Sequence, residues 1–149
     1  MVSNRAALGL LIVLVCAGCM RYSDGNQAPS QTAYYLNRWG DYIKTCHAAR
    51  LPIEKCATLD ESLEFLKKHK LLETSIDEQF LRHDGRNNEF VWSSVKKENG
   101  TLVVVTSHGP NGTVGTGRDD NHRIEIFIPD AGEVTTKITS WDRKGVGSH

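Results

Sequence analysis

Near Asn87 the spacing of apolar residues changes from a helical period to strict alternation, and this switch divides the chain into a helical part followed by a sheet. Ahead of it, Tyr35, Trp39, Tyr42, Ile43, Cys46 and Ala49 recur at the spacing of one helix face. This predicts an amphipathic helix over residues 33–50, stopped by Pro52, which disfavours helical backbone at the residue before it. Gly40 inside that helix costs up to about 1 kcal/mol relative to alanine. A turn over residues 51–57 leads to Thr58-Leu59-Asp60-Glu61, a T-x-x-E capping box, and so to a second helix. Leu59, Leu63 and Leu66 form its inner side, and Lys67, Lys68 and Lys70 suit the negative end of its dipole. Ser75-Ile76-Asp77-Glu78 offers another box for a short helical turn over residues 76–81. The aromatic stripe at helical spacing reads as core, and the whole half as a helical hairpin.

Beyond the switch, Phe90 and Trp92 alternate with Val91, and Glu98-Asn99-Gly100-Thr101 sets Asn-Gly where a type I′ hairpin turn needs two positive φ values. The return strand spans residues 102–106. A further strand over 123–128 has Ile124, Ile126 and Ile128 on one face, and Asp130-Ala131-Gly132 turns the chain into a last strand over 134–141. The expected fold class is α+β, with N-terminal helices packed on a C-terminal antiparallel β-meander of about four strands and a long Gly/Asp-rich loop. A chain of 149 residues suits one domain with a real core and is short for two.

The first 19 residues are expected to be a lipoprotein signal peptide rather than structure. Arg5 supplies the positive start, residues 6–15 an apolar stretch too short for a membrane span, and Ala17-Gly18 leads into Cys19. Val15-Cys16-Ala17-Gly18-Cys19 resembles a bacterial lipobox, which implies acylation of Cys19, with palmitate-type chains, as the first residue of the mature protein. A plain secretory signal that happens to carry a cysteine is the alternative, and both export the chain. Residues 20–32 are polar and proline-containing, a flexible tether holding the domain off the membrane. The domain then covers residues 33–142, and residues 143–149 form a disordered tail.

In an exported protein Cys46 and Cys56 read as a disulfide. Closing so short a loop stabilises by roughly 2–3 kcal/mol in the loop-entropy model. A metal site using His47 beside Cys46 is the competing reading, weakened by the lack of C-x-x-C spacing. Lys and Arg number 18 against 18 Asp and Glu, and the longest basic run is Lys67-Lys68, so the electrostatic footprint of a nucleic-acid binder is missing.

Residues 107–121 are glycine-rich and oxygen-rich, and longer than the usual connection of about 4–6 residues. Oxygens of Asn111, Asp119 and Asp120 are the hard ligands that calcium prefers. A loop whose Asp and Asn side chains cap their own turns is the alternative. No phosphate-loop ending and no G-x-S-x-G elbow occurs here. His108 and His122 flank the segment, but His47, His69, His83, His108 and His122 include no i, i+4 pair of the zincin kind.

Taken in order, the turn Asp84-Gly85-Arg86-Asn87-Asn88-Glu89-Phe90, the hairpin, Ser107-x-Gly109-x-Asn111-Gly112 and Gly115-Thr116-Gly117-Arg118-Asp119-Asp120 resemble the C-terminal domain of the type II secretion major pseudopilin (pseudopilin G family). That family carries a D-P-W-G-x-P-Y turn, of which Asp84 and Phe90 are kept here, then S-x-G-x-D-G and an acidic G-T-x-D-D-I loop. The likeness runs over residues 74–121, about a third of the chain. It implies a structural calcium held by Asn111, Asp119 and Asp120, with backbone carbonyls near His108 and Thr113 completing the shell. With two carboxylates, binding on the order of 10⁻⁴ to 10⁻³ M is expected.

The family's G-F-x-x-x-E processing site has no counterpart, so entry into a pseudopilus through a long N-terminal helix is not expected. The reading is a non-enzymatic structural or interaction protein of the bacterial cell envelope, lipid-anchored through Cys19 and facing the periplasm or cell surface, with a link to type II secretion. Its partners would be the membrane and an envelope protein, with no nucleic acid. The alternative is a small envelope metal-dependent hydrolase or ligand-binding lipoprotein built on His108, Asp119, Asp120 and His122.

Overall fold

The change of period coincides with the passage from helix to sheet. A computed structural model describes residues 28–108 and 122–139. Helix α1 spans Ala28–Ala48, a 3₁₀ turn Ile53–Lys55, α2 Leu59–Lys68 and α3 Ser75–Arg82. Strands β1 (Val91–Lys97), β2 (Gly100–Thr106), β3 (Arg123–Pro129) and β4 (Thr135–Thr139) pair antiparallel in the order β1-β2-β3-β4. The α+β class and the helices-then-strands order are as the sequence predicts.

The stripe that α1 buries is Leu36, Trp39, Ile43 and Cys46, each fully covered. Leu36 takes the place expected of Tyr35, and Tyr35 and Tyr42 flank the core. The helix lies chiefly on β3, where Gly40 earns its position: a Cβ there would stand 3.3 Å from both Ile124 Cδ1 and Thr136 Cγ2. Helix α3 packs beside α1, while α2 reaches α3, the 3₁₀ turn and β1. The helices thus pair differently from the expected hairpin of the first two, with α3 packed against both α1 and α2. Helices α1 and α2 lie against one face of the sheet, made of Trp92, Val103, Val105, Ile124, Ile126 and Ile128.

Two tryptophans join the layers. Trp39 and Trp92 meet at 5.2 Å between ring centroids. Trp39 Nε1 donates to the Leu81 carbonyl at 2.8 Å, satisfying one of the acceptors left over at the end of α3. Trp92 Nε1 donates to the Cys56 carbonyl at 2.9 Å. On the exposed side, Arg82 reaches Asp60, Glu78 and Glu89 at 2.6, 3.3 and 3.3 Å and so ties α2, α3 and the turn after α3. Such largely solvated pairs each stabilise by about 0–1 kcal/mol.

Four local expectations need correction. The helix begins at Ala28, so the last part of the supposed tether over residues 20–32 is helical, and Thr32 is buried. The cap of α3 is Thr74, one residue earlier than expected: its hydroxyl accepts from Asp77 N at 3.2 Å and Asp77 Oδ2 accepts from Thr74 N at 3.1 Å. At α2, Thr58 does accept from Glu61 N, but Glu61 returns its bond to Ala57 N rather than to Thr58. The β1–β2 turn is Glu98-Asn99, since Lys97 pairs with Gly100, and neither Asn99 nor Gly100 has positive φ. Gly100 is glycine for another reason. A Cβ there would lie 2.3 Å from the Ile128 carbonyl oxygen and 2.8 Å from the Phe127 ring and Pro129 Cα.

Both α1 and α2 end in Schellman motifs. Leu51 N donates to Cys46 O and Arg50 N to His47 O; Leu71 N donates to Leu66 O and Lys70 N to Lys67 O. The left-handed position is filled by Arg50 (φ 56°) and Lys70 (φ 57°), where glycine is usual.

Candidate functional site

The site begins where α3 stops. A bridge between His83 and Glu89 and the bond from Phe90 N to Arg82 O close residues 84–89 into a compact loop. Inside it, Asp84 N donates to Asn88 O and Asn87 N to Asp84 O, with Asn87 in the left-handed region at φ 64°. This backbone turns the Asp84 carboxylate inward, where it is 4 % exposed.

A buried carboxylate is costly unless donors surround it. Asp84 has three. Its Oδ1 accepts from Arg86 N at 2.8 Å and Asn88 N at 2.9 Å, and its Oδ2 accepts from the Ser107 hydroxyl at 2.6 Å. Two more bonds extend the cluster. Gly85 N donates to Thr32 Oγ1 of α1 at 2.9 Å, and Ser107 N donates to the His122 carbonyl at 2.8 Å. The last of these pins together the two ends of the segment between β2 and β3. One junction thus connects the start of α1, the loop after α3, the end of β2 and the start of β3.

Its chemistry is that of a clamp. The Ser107 hydroxyl proton is given to a carboxylate already engaged by two amides, and Ser107 is 2 % exposed, whereas a nucleophilic serine needs a free base and access to substrate. Of the motif residues, the structure brings Asp84 and Ser107 into direct contact. Thr32 was missed, because a lone threonine in a polar stretch gives no sign of burial. His122 is buried beside the junction and His108 is half-buried. Asn111, Asp119, Asp120 and Cys19 lie outside the described residues. Among the described residues, no group of three or more His, Cys, Asp or Glu is placed to hold a metal ion.

Cys46 and Cys56, expected as a disulfide, are free thiols in this structure, both within or against the core. Burial pushes the Cys46 thiol up to about 11, with the neighbouring Cys56 and Glu54 adding to it. Cys56 is raised as well, by burial first and then by Glu61 and Glu54. His47 Nε2 lies 2.9 Å from the Gly132 carbonyl, a hydrogen bond to the turn before β4 in place of the proposed metal site with Cys46.

An open cavity of about 480 Å³ adjoins that turn, lined among others by Arg50, Glu54, Lys96 and Asp130. Lys96 and Asp130 pair at 2.9 Å, and the wall carries both signs of charge. Among the described residues, no helix is long and apolar enough to cross a membrane. Comparison with protein-family models, with curated proteins and with solved structures returned no match.

Proposed function

We propose that this chain is an exported, lipid-anchored structural or interaction protein of the bacterial envelope, non-enzymatic, with a pseudopilin-like domain linked to type II secretion. The observation that carries the reading is the 2.6 Å bond between Ser107 and Asp84. These residues begin two motifs on which the likeness to the pseudopilin domain was drawn, 23 positions apart, and a shared buried contact gives those motifs a common structural purpose. The bond from Ser107 N to His122 O supports a further part of it. A segment closed at its base loses less entropy on ordering around an ion than one with free ends. Asn111, Asp119 and Asp120 would then hold calcium through two carboxylates and an amide, an oxygen set that suits this cation. Bound there, calcium would neutralise the carboxylates and fasten the segment, with no part in a reaction.

Cys19 is the proposed anchor, and export places Cys46 and Cys56 where thiols join as a disulfide. Two measurements test the proposal. Mass spectrometry of the mature N-terminus should find Cys19 acylated; a mature chain beginning elsewhere removes the anchor. Thermal melts in millimolar calcium against chelator should separate, and should coincide in Asp119→Ala/Asp120→Ala. Coincident melts in the unaltered protein remove the calcium staple.

A further inference from the structure

Tyr34, Tyr35, Ile76 and Phe80 form a continuous ledge on the outer surface of α1 and α3. Ile76 and Phe80 stand one turn apart on the same face of α3. The Phe80 ring stacks on Tyr35 with centroids 4.9 Å apart and planes 10° from parallel, and Tyr35 meets Tyr34 edge-on at 5.9 Å. Despite these contacts Tyr34 is 58 % exposed, Ile76 59 % and Phe80 39 %. Scattered apolar side chains are ordinary on a surface, but a contiguous group drawn from two helices marks a surface that meets something.

Chain length says what that is. Residues 20–27 separate Cys19 from Ala28, a path that fully extended covers about 30 Å. Tyr34 and Tyr35 follow within the first two turns of α1, about 10 Å further on. The ledge therefore sits at the tethered end of the domain, within reach of the lipid that the acyl chains enter. Its composition fits the same place. Tyrosine joins an apolar ring to a polar tip and is enriched at membrane–water interfaces. The neighbouring charges on α3 are acidic or already paired: Asp77 returns to Thr74, and Glu78 is held by Lys67 and Arg82. On α1 the nearest cation, Arg38, one turn beyond Tyr34, lies over the Tyr42 ring at 5.3 Å from its centroid. Seating therefore depends chiefly on the aromatic and aliphatic side chains.

We infer that the ledge of Tyr34, Tyr35, Ile76 and Phe80 seats the domain on the surface of the bilayer that holds its own lipid anchor. The inference rests on the anchor at Cys19 proposed above. It gives the domain a fixed orientation, with the sheet face opposite the helices turned away from the lipid.

The test uses the full acylated chain on phosphatidylcholine vesicles whose acyl chains carry bromine, a quencher of tryptophan emission. Tyr34→Trp reports from the ledge and Ser93→Trp from the exposed side of β1. Most of the emission added by Tyr34→Trp should be lost on brominated vesicles and kept on unbrominated ones, while that added by Ser93→Trp is kept on both. Flotation with the vesicles but no quenching at position 34 overturns the seating and leaves the anchor standing. Equal quenching at both positions also overturns it. Failure to float at all overturns seating and anchor together. Sedimentation of Cys19→Ser supplies the last arm: a dimer abolished by Tyr34→Ser/Ile76→Ser would assign the ledge to a second copy and overturn the inference.

Discussion

Replacing Ser107 with alanine removes the hydroxyl that donates to Asp84 Oδ2 at 2.6 Å, in a junction where Ser107 is 2 % and Asp84 4 % exposed. A hydrogen bond to a charged group contributes about 1.5–3 kcal/mol, and water has little room to replace the lost donor. Asp84 retains the amides of Arg86 and Asn88 on its other oxygen, which keeps the loss below that of a fully stranded charge. A destabilisation of about 2 kcal/mol follows. For a domain of this size it lowers Tm by about 8–16 °C. Asp84→Asn should cost less, about 1 kcal/mol, because its carbonyl oxygen can keep the two amides while its NH₂ donates to the Ser107 oxygen. Denaturant titration of the two single variants and the double variant closes a cycle, with an expected coupling of about 1–2 kcal/mol. A Ser107→Ala variant within about 0.5 kcal/mol of the original, or no coupling, refutes the clamp. The structural link between the two motifs would go with it.

Three further outcomes follow from the packing. Gly100→Ala should destabilise by about 2–3 kcal/mol, since its Cβ meets the β3 backbone at 2.3 Å, while Asn99→Ala should change stability by less than about 0.5 kcal/mol; the reverse order in urea titration would restore the Asn-Gly turn. Arg50→Gly and Lys70→Gly each relieve a left-handed residue and should stabilise by about 0.5–1 kcal/mol, and a loss in either thermal melt would show that the end of that helix is built differently. In the reduced protein Cys46 favours the neutral thiol when folded, with its pKa raised from 9.0 to about 11. The corresponding stability is complete below pH 9 and is lost as pH rises through about 11. The urea midpoint of the reduced protein should therefore fall faster over that window than that of Cys46→Ala; parallel slopes, or an oxidised protein behaving the same way, contradict the buried thiol.

Patterns with a short repeat were legible before any coordinates. The switch near Asn87, the inward Leu63 and Leu66 of α2, the Thr58 cap and the isoleucine face of β3 all follow from periods of 3.6 or 2 and from bonds made within a few residues. These interactions lie within one element, so their chemistry is written consecutively in the chain. The motif pair of Asp84 and Ser107 could be marked, though not its contact.

What the residues alone could not decide was wherever a distant segment sets the choice. Asn99-Gly100 looks like a turn, but Gly100 answers to Ile128, Phe127 and Pro129 on the next strand. Helices α1 and α2 end at Ala48 and Lys68, and the left-handed positions that follow hold Arg50 and Lys70 without the glycine that would announce them, because Leu51 and Leu71 turn back into the core and hold the strained residue before them. Thr32 reads as tether until Gly85, 53 positions away, donates to its hydroxyl. Local periodicity determined which elements form; tertiary contacts decided where they end, because burial and close approach depend on atoms that come from elsewhere in the chain.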